Sequence, residues 1–126
     1  MSYEHAIGAT LETLTDLNLL ELPVIYPRSR YRESAAQGVA INGATLALGE
    51  PQADWEWTYL TMDMRNQLRA FCLGASANVY IRTLKNDGSY ANFSAILRWP
   101  AEEQRSSQYT LNLVLSFTHL VEIPEA

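Results

Sequence analysis

The sequence predicts a mainly β domain, a β-sandwich or partly open barrel of about six to eight strands with one α-helix laid across it. Three observations carry that expectation. From Tyr109 to His119 side-chain character alternates with the two-residue period of a strand that has one wet and one buried face. Tyr109, Leu111, Leu113, Leu115 and Phe117 point one way and Thr110, Asn112, Ser116 and Thr118 the other, with Val114 the apolar exception. A second region of the same period, from Ala77 to Trp99, folds back on itself around Lys85-Asn86-Asp87-Gly88-Ser89 and reads as a long hairpin. Only residues 61–73 carry a clear helical stripe.

Within residues 1–22, Leu11, Leu14, Leu17 and Leu20 recur every third position while the threonines and Asn18 weaken a helix, so a strand, an extended arm and a helix all fit. Pro23 and Pro27 bracket Val24-Ile25-Tyr26. Arg28, Arg30 and Arg32 then alternate with Ser29, Tyr31 and Glu33, which sets three positive charges on one side of a short strand or loop. Such a strand is either a solvated edge protected by charge or a contact surface. Asn42-Gly43 between β-compatible flanks predicts a hairpin with a type I′ turn.

Asp54, Glu56 and Thr58 alternate with Trp55, Trp57 and Tyr59 in the next strand. The three large rings either fill the core beneath the following helix or form a stacking platform for a ligand. Thr61 suits the N-cap of that helix, Asp63 suits its first turn, and Gly74 stands where a left-handed C-terminal residue is expected. Met64, Leu68 and Phe71 or Cys72 form its buried stripe, leaving Arg65, Asn66 and Arg69 outward. In the return strand of the long hairpin, Ala91, Phe93, Ala95 and Leu97 share one side. Pro100 ends that strand, and 101–108 is a polar loop.

At 126 residues the chain fits one domain, 1–126, with 1–22 as a possible N-terminal arm. Apolar residues make up 48% and charged residues 18%, a composition that suits a soluble globule. No stretch approaches the roughly 18 apolar residues of a spanning helix, and the N-terminus lacks a secretory pattern, so membrane insertion is not expected. The formal charge of −5 argues against general nucleic-acid binding, which needs a basic surface. Of the nine basic residues eight are arginine and only Lys85 is lysine, a bias found at protein interfaces.

Catalytic chemistry is absent from the sequence pattern. The six glycines are scattered and none builds a phosphate loop. Cys72 excludes an internal disulfide and, with His5 and His119, leaves little for a metal site. Asp54 and Glu56 lie two apart on one strand face and read as solvated carboxylates rather than a glycosidase pair. No catalytic, cofactor-binding or metal-ligating residue is therefore assigned, and the chain is not expected to be an enzyme.

Residues 28–120 nevertheless resemble a known group. Tyr31-Arg32-Glu33-Ser34, the Asn42-Gly43 hairpin, Trp55-Glu56-Trp57, the helix ending Leu68-Arg69-Ala70-Phe71, Val79-Tyr80-Ile81-Arg82-Thr83 and Leu113-Val114-Leu115-Ser116-Phe117 are similar to small tail proteins of long-tailed bacteriophages, the distal tail or tail-tube-like group. The resemblance implies a structural virion subunit, assembled in the host cytoplasm, that forms a homo-oligomeric, usually six-fold ring at or near the distal end of the tail. Its partners would be copies of itself and the neighbouring tail tube and tail hub proteins. DNA would only pass through the channel that the ring lines. A tail terminator or neck connector is the alternative position. Arg28, Arg30 and Arg32, with Lys85, Asn86 and Asp87 at the hairpin tip, are the expected intersubunit contacts. A reading of another class is a carbohydrate-binding β-sandwich that uses Trp55, Trp57 and Tyr59.

Overall fold

A computed structural model describes residues 5–33, 36–106 and 108–123. Residues 1–4 of the expected N-terminal arm and Ser34 of the arginine segment lie outside them. The chain is mainly β, with a single α-helix among the described residues, as the sequence predicts. Ten strands are found among the described residues: β1 (Ala6–Gly8), β2 (Thr15–Asp16), β3 (Arg28–Arg32), β4 (Ala36–Val39), β5 (Thr45–Leu48), β6 (Gln52–Thr61), β7 (Ser76–Leu84), β8 (Tyr90–Arg98), β9 (Gln104–Ser106) and β10 (Tyr109–Ile123). The helix α1 (Met62–Arg69) follows β6 directly.

Eight strands form one antiparallel sheet in the order β2-β1-β7-β8-β10-β6-β3, with β9 alongside the start of β10. The sheet curls. Tyr31 on β3 packs its ring 5.9 Å from that of Phe93 on β8, and Trp55 on β6 donates an indole N–H to the Thr83 hydroxyl of β7 at 2.9 Å. Side chains thus meet across the interior, but β3 forms no backbone ladder with β7 and the barrel stays open. Trp55, Trp57, Phe93, Leu97, Leu115 and Phe117 fill the concave side.

The N-terminal segment forms a strand hairpin rather than a helix, with β1 paired to both β2 and β7. Gly8 is required there because a Cβ would sit 2.8 Å from the Leu14 backbone. The spacing of the leucines had a different cause from helical periodicity. Leu17 is fully buried as the chain enters a 3-10 turn at Leu17–Leu19, whereas Leu11 is exposed.

The Asn42-Gly43 hairpin forms where the sequence placed it, as β4 and β5, but its turn differs. Only Gly43 has positive φ, at 86°, and its N–H donates to the Ala40 carbonyl. The loop is therefore Ile41-Asn42-Gly43, a turn closed by one left-handed glycine, rather than a two-residue type I′ connection. Asn42 does not take a positive φ, and its side-chain oxygen accepts the Ala44 N–H at 3.0 Å, an Asx-type bond that stabilises this arrangement. This hairpin is a two-stranded sheet of its own.

The helix begins as expected, with the Thr61 hydroxyl accepting the Met64 N–H, but ends at Arg69 instead of residue 73. The Phe71 and Cys72 N–H groups bond three residues back, to Leu68 and Arg69, which tightens the chain and drops Cys72 into the core. Gly74 does not have positive φ, so the left-handed stop predicted there does not occur.

Arg65 is not outward-facing as its position in the sequence suggested. Its guanidinium grips Glu103 through Nε at 2.8 Å and Nη2 at 2.6 Å, and Trp99 donates its indole N–H to the same carboxylate at 3.2 Å. Arg65 and Arg69 both lie over the Trp99 ring, 5.4 and 4.9 Å from its centroid. This cluster ties α1 to the loop after β8. The Arg65 bond, and secondarily the Trp99 bond, hold the Glu103 carboxyl at a pKa of about 2 against burial. Its stabilising contribution is therefore complete above pH 4.5 and is lost as pH falls toward 2. Glu103→Ala is expected to cost about 1 to 2 kcal/mol by urea denaturation at neutral pH, below the value for a fully buried ion pair because water reaches the site.

Candidate functional site

Strands β6 and β10 contain the feature that positions the outer surface. Up to Trp57 on β6 and from Leu113 to Phe117 on β10, odd-numbered residues face the core. Beyond that level the facing reverses in both strands together. Leu60 and Thr110, paired across the ladder, are buried, while Tyr59 and Tyr109 are exposed. The reversal falls at Thr58 and Asn112, both exposed, and Asn112 has φ of 49°. A left-handed non-glycine residue is uncommon, and asparagine tolerates it better than most. The buried Thr110 hydroxyl donates to the Gln104 carbonyl of β9 at 3.3 Å, and Asn112 donates its side-chain amide to Gln104 Oε1 at 3.2 Å.

A second break lies further along β10. Its ladder with β8 shifts register between Thr118 and Val121, so His119 and Leu120 together oppose Ala95. His119 has φ of 55°, and burial passes from Phe117 to Leu120 instead of to His119. This is a β-bulge, which bends the strand and re-aims the residues beyond it. The alternation from Tyr109 to His119 thus describes the middle of β10, whereas both ends of the run depart from it.

These breaks correct the predicted aromatic face. Trp55 and Trp57 are buried, with their indole N–H groups bonded to the Thr83 hydroxyl and to the Ile25 carbonyl at 2.8 Å. Neither presents a ring to solvent, and Tyr59 stands on the opposite side of the sheet from them. The three therefore do not form a stacking platform. Instead Tyr59 pairs with Tyr109, ring centroids 5.8 Å apart and planes at 85°. Tyr109 was placed on the buried face by its sequence position. The signal that could have found it was Asn112, a residue type enriched at positive φ, inside an otherwise regular strand.

Arg28, Arg30 and Arg32 share the outer face of β3 as the alternation predicts. The register Arg28↔Glu56 and Arg30↔Asp54 sets them against the carboxylates of β6. Arg28 pairs closely with Glu56, Arg32 reaches Asp54 at 3.4 Å, and Arg30 reaches only the far oxygen of Glu56 at 3.9 Å. All three guanidinium groups remain largely exposed. At the other predicted contact, Lys85 bonds Glu122 on β10 at 2.9 Å, which raises the lysine pKa. Asp87 accepts the Ser89 hydroxyl and N–H, which lowers the pKa of its carboxyl. Asn86 lies in the turn between them.

His5 and Cys72 are buried and His119 is exposed on the bulge, in separate surroundings. Among the described residues no group of three or more histidine, cysteine, aspartate and glutamate side chains is arranged to hold a metal ion. Among them, too, no helix is long and apolar enough to cross a membrane. No family model, curated protein or solved structure matches the chain.

Proposed function

We propose that the chain is a structural ring subunit of a bacteriophage tail, at or near the distal end, and that copies of it build part of the wall of the DNA channel. The observation that carries the reading is the open sheet. Among the described residues β3 pairs on one side only, with β6, and presents a free backbone edge alongside three exposed arginines. A free strand edge in an apolar-cored sheet is a template for another chain, and closed symmetry converts that template into a defined assembly. The β4–β5 hairpin, which forms its own sheet and exposes Val39 and Ile41, offers a second element for a neighbour to cover. The net charge of −5 suits a channel wall that DNA passes without sticking.

Of the three β3 arginines Arg30 makes the longest contact within its own chain, which leaves it the best placed of them to reach a neighbouring subunit. Arg30→Glu is expected to weaken self-association at least tenfold in sedimentation velocity. Its effect on the monomer's unfolding free energy should be under about 1 kcal/mol, the scale of an exposed ion pair. Unchanged association by this variant contradicts the assignment of β3 as the contact edge. Immunogold labelling of particles is expected at the distal tip of the tail, whereas label at the neck would move the subunit to the terminator position.

A further inference from the structure

We propose that Tyr59 and Tyr109 form a saccharide-binding platform on the outer face of the sheet, beside the Arg28 end of β3. Three observations converge on it. The first is the rings themselves, diagonal neighbours across the β6–β10 ladder that are 56% and 40% exposed. Their perpendicular planes make a corner. An apolar corner of this kind matches the C–H face of a sugar ring, and the phenolic hydroxyls supply a polar rim.

The second observation is the chemistry flanking the rings. On the Tyr59 side a cleft of about 280 Å³ is lined by Ile25, Tyr26, Arg28, Glu56, Trp57 and Thr58. On the Tyr109 side a cleft of about 420 Å³ is lined by Thr61, Met62, Asp63 and Gln108. Arg28 only donates, the two carboxylates only accept, and Thr58, Thr61 and Gln108 do both. An anion or cation site would carry one sign of charge. A mixed set of donors and acceptors around exposed rings fits hydroxyl groups, which themselves donate and accept.

The third is the backbone that exposes the rings. Had β6 and β10 kept their alternation, Tyr59 would share the core face with Trp57. The coordinated reversal at Thr58 and Asn112 turns both tyrosines to solvent and holds Asn112 in a left-handed conformation that non-glycine residues adopt only at a cost. The β6–β10 ladder keeps its register through these residues, and they leave both rings exposed side by side. Here the two large rings that they expose stand next to the two clefts.

The test is a glycan array probed with the full chain, followed by calorimetric titration of the strongest oligosaccharide against wild type, Tyr59→Ala, Tyr109→Ala and Tyr59→Trp. Both tyrosines are exposed, so the alanine variants should retain the wild-type melting curve, and Tyr59→Trp restores a ring if they do not. The expected result is saccharide binding that weakens at least tenfold in each alanine variant and persists in Tyr59→Trp. Three outcomes overturn the proposal: no glycan is bound, binding is indifferent to both tyrosines, or the tyrosines control only self-association or capture of a proline-rich peptide. Because the edge of β3 is untouched by these substitutions, loss of sugar binding with ring assembly intact, or the reverse, separates this site from the ring reading.

Discussion

Trp55→Ala is expected to lower the unfolding free energy by about 3 to 5 kcal/mol, the cost of emptying a large aromatic site in a packed core. Trp55 is fully buried and touches three other rings, Phe117 at 4.6 Å, His5 at 5.6 Å and Trp57 at 6.2 Å between centroids. It also bridges the interior, because its indole N–H reaches the Thr83 hydroxyl on β7 from β6. In an open barrel, where β3 and β7 share no ladder, that contact is one of the ties that keep the curl. Alanine removes the volume and leaves the buried Thr83 hydroxyl without this partner. Trp55→Phe separates the two effects, keeping a ring while deleting the donor, and should cost about 1 to 3 kcal/mol. Urea midpoints at neutral pH measure both. An alanine variant that loses less than about 1 kcal/mol would show that Trp55 is not a core tie.

Stability should also fall in mild acid, through His5. The ring is buried among Tyr26, Trp55 and Tyr90, and neither of its nitrogens has a hydrogen-bond partner among the described residues. Burial lowers its pKa to about 4, and the nearby Asp16 carboxylate offsets this only in part. Both oxygens of Asp16 already accept the Tyr26 hydroxyl, at 3.0 and 2.8 Å, and one takes the Asn18 N–H. Between pH 6.5 and about 4 the unfolded chain binds a proton at this residue and the folded chain does not, so stability rises with pH in that window. Above 6.5 both states are neutral and the dependence ends. The full linkage value is about 3 kcal/mol, and partial solvent screening reduces the expected loss to about 2 kcal/mol. His5→Phe should flatten the curve over this range. Glu103 titrates lower, below pH 4.5, so its contribution is distinguishable.

Side-chain alternation made most of the fold legible. The middle of β10, the β7–β8 hairpin and the tryptophan strand read correctly because each has one core face and one solvent face, and period two reports that directly. The outward set of Arg28, Arg30 and Arg32 was readable for the same reason. Their carboxylate partners were not, because Asp54 and Glu56 meet them only through the β3–β6 register, a pairing between distant parts of the chain. The tyrosine pair was hidden by two backbone reversals that leave no mark on composition. Asn112 was the visible trace at the tyrosine pair, as His119 was at the bulge further along β10, both residue types that accept positive φ. The helix was overextended because Phe71 and Cys72 continue its apolar spacing while the backbone has already tightened into a turn.

The proposal that β3 is covered by another copy of the chain is tested most directly by electron microscopy of the purified protein, with class averaging of single particles. Closed rings of one stoichiometry around an open centre are the result that the open sheet and its arginine edge lead us to expect. Isolated monomers at high protein concentration, or open filaments with no closed form, would contradict it.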